Sequence, residues 1–175
     1  MNGTRGYSAI GLYMPKREMN VGGAMRAAYC YGAAMIAVQG QRFRKMPTDP
    51  QASWRHIPVL QVADLLEAIP FDCQPVCVEL SPGALPLVSF VHPQRAFYIF
   101  GPEDGSVPNE LTRRYRTVYA PTLHCMNLAA TVNVVLYDRR AKEILGRNRE
   151  AQVSGFEPEY VGSNPTAPAT QAVSA

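Results

Sequence analysis

The chain has 175 residues, of which 47% are hydrophobic and 18% charged, and its formal net charge is +3. This length fits one globular domain with a substantial core, while the small positive charge permits a nucleic-acid partner without requiring one. No apolar run approaches the roughly 20 residues of a membrane span and the first residues carry no apolar stretch of signal length, so we expect a cytoplasmic protein with no membrane partner.

The first forty residues predict two strands separated by a helix. The strands are predicted at 7–14 and 34–38, and the helix at 20–33, with Asn20 as its N-cap. Four residues spaced i, i+3, i+4 and i+7 form the predicted core stripe of that helix: Met25, Ala28, Tyr29 and Gly32.

Residues 39–56 predict a long loop that is polar and basic and contains two prolines. Loops of this length in compact domains are usually functional or disordered. Cationic and aromatic side chains alternate in it, a combination that suits single-stranded RNA, although such a run can also be only a solvated face. The candidate RNA-binding residues are Arg42, Phe43, Arg44, Lys45 and Trp54.

The rest of the chain alternates predicted strands and helices. Strands are predicted at 57–62, 75–80, 96–100 and 117–120, and helices at 63–69, 83–91, 108–115 and 126–142. The alternation predicts an α/β fold with a mainly parallel sheet flanked by helices. From residue 151 the sequence is rich in Pro, Ala, Ser and Thr, so we expect a domain at 1–150 and a disordered tail at 151–175.

The stretch FGPEDG, residues 100–105, directly follows the predicted strand AFYIF. In open α/β sheets, ligands bind outside the carboxyl ends of the strands. Gly101 would let the backbone approach a ligand, and Glu103 would stand at the rim. The alternative is a tight turn that carries a helix-capping acid. Neither GxGxxG after the first strand nor GxxxxGK[ST] is present, which argues against a Rossmann pocket and a P-loop.

Three separated stretches together resemble one family. They are NVGGAMRAAYCYGA, YIFGPEDGSVP and APTLHCMNLAATVNVVLY, in that order along the chain. With these motifs, the sequence resembles the SpoU (TrmH-like) branch of the SPOUT RNA methyltransferases over roughly residues 7–145. Cys125 and Met126 precede Asn127 where the family usually has Ser and Leu.

The resemblance implies a C-terminal trefoil knot that binds S-adenosylmethionine in a bent shape. Knots are close to absent among folds generally, so only the resemblance supports this expectation. Carried over by position, the cofactor residues are Leu80, Gly101, Ala120, Cys125 and Met126. For Leu80 and Met126, simple core packing is the alternative.

The resemblance also implies transfer of a methyl group to a ribose 2′-hydroxyl of RNA. Arg26 takes the position of the family's catalytic arginine, and Asn20, Glu103 and Asn127 would hold it and the ribose in place. The structural alternatives are a helix cap for Asn20, a turn acid for Glu103 and a helix cap for Asn127. Two other functions stay open: methylation of a base nitrogen, and a non-catalytic RNA-binding relative.

Partners and metals follow from the remaining features. Between residues 126 and 137 only Asn127, Thr131 and Asn133 interrupt apolar or aromatic residues, so that helix should be buried on more than one side. We expect a homodimer, core burial within one chain being the alternative.

We favour tRNA over rRNA as the substrate. The cysteines complete no zinc pattern, so we expect buried free thiols and no metal at Cys30, Cys73, Cys77 and Cys125.

Overall fold

The structure is a computed structural model that describes residues 6–40, 48–49 and 52–154, without the side chains of 147–154. The strands are β1 (Tyr7–Tyr13), β2 (Met35–Gln39), β3 (Val59–Val62), β4 (Gln74–Val78), β5 (Leu85–Pro86), β6 (Arg95–Phe100) and β7 (Arg116–Tyr119). The α-helices are α1 (Glu18–Cys30), α2 (Asn109–Arg114) and α3 (Leu128–Ser154). Short 3₁₀ turns lie at Ser53–Arg55, Leu65–Ala68 and Leu87–Ser89.

In the described part of the chain, the strands form one parallel sheet in the order β3-β2-β1-β6-β4-β7-β5. The expectation of a mainly parallel sheet flanked by helices is confirmed. Alternate residues of β6 enter different core clusters: Tyr98 packs with the residues of α1 and α3, and Phe97 packs with Leu65 and Val107. Both faces of the central strands are therefore covered, which explains why these strands are apolar runs rather than alternating patterns.

The topology brings several predicted site residues to one edge of the sheet. Parallel strands end at the same edge, and β6, β4 and β7 are adjacent in the sheet. The segments that follow these three strands begin at Gly101, Glu79 and Ala120. The N-terminus of α1 comes after the carboxyl end of β1, which pairs with β6. Every segment of the predicted site therefore starts from the carboxyl edge.

The start and end of α1 differ from the prediction. The helix begins at Glu18 with Arg17 as N-cap, and no side chain of its own caps it, so Asn20 is not the N-cap. The helix ends at Cys30, and Gly32 lies beyond it with a φ of +70°, a conformation that suits glycine. Met25 is buried as predicted, but Tyr29 is 39% exposed. The predicted core stripe is therefore only partly correct.

The helix predicted at 83–91 is wrong. Residues Leu85–Pro86 pair with β7 as the edge strand β5, and a 3₁₀ turn follows. Pro86 lies in the middle of this stretch, and proline lacks an amide donor and drives the residue before it toward extended backbone. The helix predicted at 126–142 is present as α3 but ends at Ser154, and the helix predicted at 63–69 is the 3₁₀ turn Leu65–Ala68.

The long basic loop is described only in part. Four candidate RNA-binding residues lie outside the described residues: Arg42, Phe43, Arg44 and Lys45. Trp54 lies in the 3₁₀ turn and is 52% exposed, with the Arg55 guanidinium 5.0 Å from its ring centroid. Asp49 fixes this turn, because its carboxylate accepts hydrogen bonds from the Ser53 amide at 2.7 Å and hydroxyl at 2.6 Å.

A buried polar cluster fixes the middle of α3 at the amino edge of the sheet. His92 Nε2 lies 2.8 Å from Asp138 Oδ2, and His92 Nδ1 lies 2.6 Å from the hydroxyl of Tyr98. Arg139 donates to the carbonyls of Pro93 at 2.6 Å and Gln94 at 2.9 Å, just before β6. These bonds orient α3, whose first residue follows Asn127 at the opposite edge.

The thiols divide into two classes. Cys73 and Cys77 are buried, and burial together with the nearby charge of Glu79 raises the pKa of Cys77 to about 12. Cys30 and Cys125 are exposed, so the expectation of burial is wrong for these two. Cys30 ends α1, and Cys125 lies in the loop before α3.

By its internal contacts the chain divides into residues 1–141 and 142–175. The first unit contains the whole sheet, α1, α2 and the first half of α3. Of the second unit, the structure describes the continuation of α3 to Ser154. None of the described helices is both long and apolar enough to cross a membrane.

Candidate active site

Three side chains that are far apart in sequence form one hydrogen-bonded chain. Asn20 Nδ2 donates to Glu103 Oε1 at 2.6 Å, and Asn127 Nδ2 donates to Asn20 Oδ1 at 2.7 Å. Asn20 is buried, with 7% of its surface exposed. One residue from each of the three sequence motifs therefore meets at the carboxyl edge, and the central amide uses both its oxygen and its nitrogen.

Glu103 also caps α1 from a distant loop. Its Oε2 accepts from the Lys16 amide at 2.8 Å, and its Oε1 accepts from the Arg17 amide at 3.1 Å. A carboxylate here satisfies amides that a helix start leaves unpaired, and its charge complements the positive end of the helix dipole. Burial by itself would raise the pKa of Glu103, but the hydrogen bonds from Lys16, Asn20 and Arg17 hold that pKa below its usual value. The group is therefore a carboxylate at neutral pH.

Asn127 has the same double role at α3. Its Oδ1 accepts from the amides of Ala129 at 2.9 Å and Ala130 at 3.3 Å, which is the geometry of an N-cap, while its Nδ2 is bonded to Asn20. The capping alternatives for Glu103 and Asn127 are thus correct as descriptions of local structure. They do not compete with a role in the site, because the same bonds lock the starts of α1 and α3 together.

Arg26 lies on α1 beyond this locked start and is exposed. A Cβ on Gly23, one turn before it, would lie 2.8 Å from the Cβ of Ala129, so α1 and α3 touch at this point and only glycine fits. Among the described residues, no carboxylate forms an ion pair with Arg26. Its guanidinium can therefore bind an external phosphate or a developing negative charge.

The five cofactor candidates follow adjacent strands or precede α3. Leu80 comes after β4 and is 72% exposed, while Gly101 follows β6 and Ala120 follows β7. Cys125 is exposed and Met126 is half-buried in the loop before α3. Core packing of Leu80 is therefore excluded.

Gly101 is also required by the structure of its own loop. A Cβ at this position would lie 2.8 Å from the backbone nitrogen of Val107, so the glycine allows the loop to close upon itself. The amide of Leu80 donates to Glu79 Oε1 at 3.0 Å. Leu80 can therefore offer a ligand its carbonyl oxygen and its exposed apolar side chain.

These residues suit S-adenosylmethionine better than a metal ion. An exposed leucine and a half-buried methionine can contact the apolar adenine face of a nucleoside ligand. The described residues contain no cluster of three or more His, Cys, Asp or Glu that could hold a metal. The donor set at this edge therefore fits the nucleoside cofactor.

The sequence reasoning missed Glu79. The residue directly follows β4, and its carboxylate accepts from two amides, those of Leu80 and of Val107. A carboxylate directly after a buried run, at the carboxyl end of a predicted parallel strand, was a usable signal. The signal is masked because Glu79 lies inside the predicted strand 75–80.

A family model described as "SpoU rRNA Methylase family" matches residues 8–137, about three quarters of the chain. The match includes all three motifs and every cofactor candidate. No protein in the curated set that was compared matches the sequence.

Several solved structures share the fold. The SpoU methyltransferase AviRb from Streptomyces viridochromogenes, in complex with the cofactor AdoMet, is 18% identical with a TM-score of 0.71, and 81% of this chain covers 60% of AviRb. A structure that addresses 2-OH methylation of C/U34 on tRNA is 22% identical with a TM-score of 0.69, covering 82% of this chain and 94% of the other.

The A. aeolicus TrmH/SpoU tRNA modifying enzyme is 18% identical with a TM-score of 0.69, covering 79% of this chain and 77% of the other. The chain thus spans about three fifths of AviRb and nearly all of the protein from the tRNA study. At these identities the likeness establishes the fold.

Proposed function

Because the chain belongs to the SpoU rRNA Methylase family, we propose that it transfers a methyl group from S-adenosylmethionine to a ribose 2′-hydroxyl of RNA. S-Adenosylmethionine is the cofactor that AviRb binds in its crystal structure. The structure from the study of 2-OH methylation on tRNA supports the ribose hydroxyl as the acceptor.

The observation that carries this proposal is the hydrogen-bonded chain from Glu103 through Asn20 to Asn127. It uses the polar residue of each motif and fixes the helix that carries Arg26. If Glu103 were only a turn acid and Asn20 and Asn127 only helix caps, these three side chains would not need to contact one another. Their convergence at the start of the helix that carries an exposed arginine is what a preorganised site for an anionic substrate requires.

When bound, S-adenosylmethionine supplies a methyl group on a positively charged sulfur, which leaves as the thioether. Arg26 binds a phosphate next to the target ribose and stabilises the negative charge that develops on the 2′-oxygen. A guanidinium stays protonated at neutral pH, so Arg26 acts here by orientation and charge rather than as a free base. The proton of the 2′-hydroxyl passes to an RNA phosphate or to water as the bond from oxygen to the methyl group forms. Asn20, Glu103 and Asn127 are positioning residues that hold α1 and α3 in place.

The finer features of the fold are part of the same proposal. We propose that the C-terminal part of residues 1–150 forms a trefoil knot and that 151–175 is a tail outside the domain. Two side chains on α3 support a homodimer, because Val134 is 38% exposed and Tyr137 is 62% exposed on a helix whose other face is buried. A partner subunit would cover them.

The favoured substrate is tRNA, with rRNA as the second candidate. The chain covers 94% of the protein from the tRNA study, which supports tRNA. The description of the family supports rRNA. Exposed Trp54 can stack on an unpaired base of either RNA.

The proposal is tested with radiolabelled S-adenosylmethionine and two RNA preparations, total tRNA and ribosomal subunits. We expect label to appear in tRNA. The linkage at the labelled position should resist alkali, as a 2′-O-methylated linkage does. If label appears only in rRNA, rRNA replaces tRNA as the proposed substrate. Label on a base nitrogen, or binding of RNA without transfer, would overturn the proposed chemistry.

A further inference from the structure

A carboxylate outside the three motifs joins two segments of the proposed cofactor site. Glu79 Oε1 accepts from the amide of Leu80 at 3.0 Å, and its Oε2 accepts from the amide of Val107 at 2.9 Å. Glu79 itself is fixed in the sheet, because its amide donates to the Val118 carbonyl at 2.9 Å. Each oxygen of one side chain therefore holds a different segment.

The second of these segments is the loop 101–107 that follows β6. Val107 is 1% exposed, and its nitrogen is the atom that a Cβ on Gly101 would meet at 2.8 Å. Glu79 thus holds the end of the loop against its beginning. In the middle of the loop, Glu103 binds the start of α1. The loop is fixed at two points by two carboxylates: Glu103, which belongs to the loop, and Glu79, which directly follows β4.

We propose that Glu79 is a positioning residue for the cofactor, which sets the backbone of Leu80 and Gly101 at the spacing that S-adenosylmethionine requires. This inference rests on the proposed function. Glu79 acts through the two amides and through the loop closure at Gly101. It also directs the Leu80 amide away from the ligand, so that the carbonyl and the side chain of Leu80 remain for contact.

The chemistry of the side chain explains why glutamate is needed. A carboxylate accepts at both oxygens, and hydrogen bonds to a charged acceptor are stronger than those between neutral groups. Glutamine has the same shape, but its amide nitrogen can only donate, so it would face one of the two backbone donors without a bond. Aspartate keeps the charge but is shorter by one methylene, so it can reach one segment and not both.

The experiment compares three full-length variants with the wild type: Glu79→Gln, Glu79→Asp and the control Glu110→Gln. Glu110 lies exposed in the first turn of α2, so its replacement removes the same charge without touching either segment. Calorimetry measures S-adenosylmethionine affinity, and amide hydrogen exchange is followed on the ligand-free proteins. These two measurements do not depend on methyl transfer.

We expect Glu79→Gln to bind S-adenosylmethionine about tenfold more weakly, as the loss of one hydrogen bond to a charged group implies. The Val107 amide should exchange at least about tenfold faster, with the amides of β1 and β6 unchanged. Glu79→Asp should fall between the wild type and Glu79→Gln, and Glu110→Gln should match the wild type.

Two results would overturn the inference. Faster exchange at Val107 with unchanged cofactor affinity would show that the bridge is structural only. If both Glu79 variants fail to fold, the Glu79 bridge likewise has only a structural role. If the wild type binds no S-adenosylmethionine, the proposed function fails instead, so the two failures are distinguishable.

Discussion

Replacing Glu103 with alanine tests the central feature of the site, the carboxylate that caps α1 and holds Asn20. The change removes three hydrogen bonds, from the Lys16 amide at 2.8 Å, the Arg17 amide at 3.1 Å and Asn20 Nδ2 at 2.6 Å. Loss of a helix cap costs about 1 kcal/mol. Leaving the buried Asn20 amide without an acceptor costs about 1–3 kcal/mol more. We therefore expect the free energy of unfolding to fall by about 2–4 kcal/mol.

Urea unfolding followed by circular dichroism at pH 7 measures this difference. Asp104→Asn is the matched control, because Asp104 is the neighbouring acid and its ion pair with Lys16 is exposed on both sides. Exposed pairs contribute little, so the control should unfold like the wild type. A Glu103→Ala variant as stable as Asp104→Asn would refute the reasoning that Glu103 holds the site together.

The same contribution should depend on pH in a defined direction. The folded-state pKa of Glu103 is lowered, so its stabilising effect is complete above the unfolded pKa of about 4.3 and is lost as the pH falls through the lower folded value. The difference between wild type and Glu103→Ala should narrow when unfolding is repeated below pH 4. A constant difference from pH 7 to pH 3 would mean that the ionised carboxylate is not what stabilises α1.

Four further predictions concern the cofactor, the chemistry, the RNA and assembly. Gly101→Val should abolish S-adenosylmethionine binding in calorimetry, because the new Cβ would lie 2.8 Å from the Val107 nitrogen; unchanged affinity would contradict this. Arg26→Ala should keep cofactor affinity within about twofold while methyl transfer falls at least about 100-fold, as expected when a transition-state charge contact is lost; normal transfer would remove the role of Arg26. Trp54→Ala should weaken RNA binding by about 1–3 kcal/mol without changing the slope of affinity against salt, since stacking releases no counterions; unchanged affinity would mean that the ring does not stack on RNA. In sedimentation at micromolar concentration the wild type should be a dimer and Tyr137→Glu a monomer; identical sedimentation would place the interface elsewhere than on Tyr137.

The order of elements could be predicted because the sheet is buried on both faces. Strands that are covered on both faces are short, mainly apolar runs, and β1, β2, β4 and β6 are visible in the sequence as such runs. The predicted element type or boundary was wrong where one local sequence signal competed with another. Pro86 made an apolar stretch extended rather than helical, and Glu18 starts α1 two residues before Asn20 because the cap comes from elsewhere.

For the candidate site, too, the sequence predicted some features and not others. The motifs identified Asn20, Arg26, Glu103 and Asn127 as a group, since each motif carries its own polar residue. They did not reveal that Asn20 is a buried bridge between two helix starts, a relation across 83 residues to Glu103 and 107 residues to Asn127. Nor did they identify Glu79, whose second partner, Val107, is 28 residues away.

The sequence by itself determined the family, the alternation of strands and helices, and the residue types available at the ends of the strands. Those properties are local, because they depend on apolar runs, turn residues and short motifs. Only the tertiary structure decided what each polar side chain does there. The parallel order β1-β6-β4-β7 brings separate strand ends to one edge, and hydrogen bonds across that edge select partners by distance in space rather than by position along the chain.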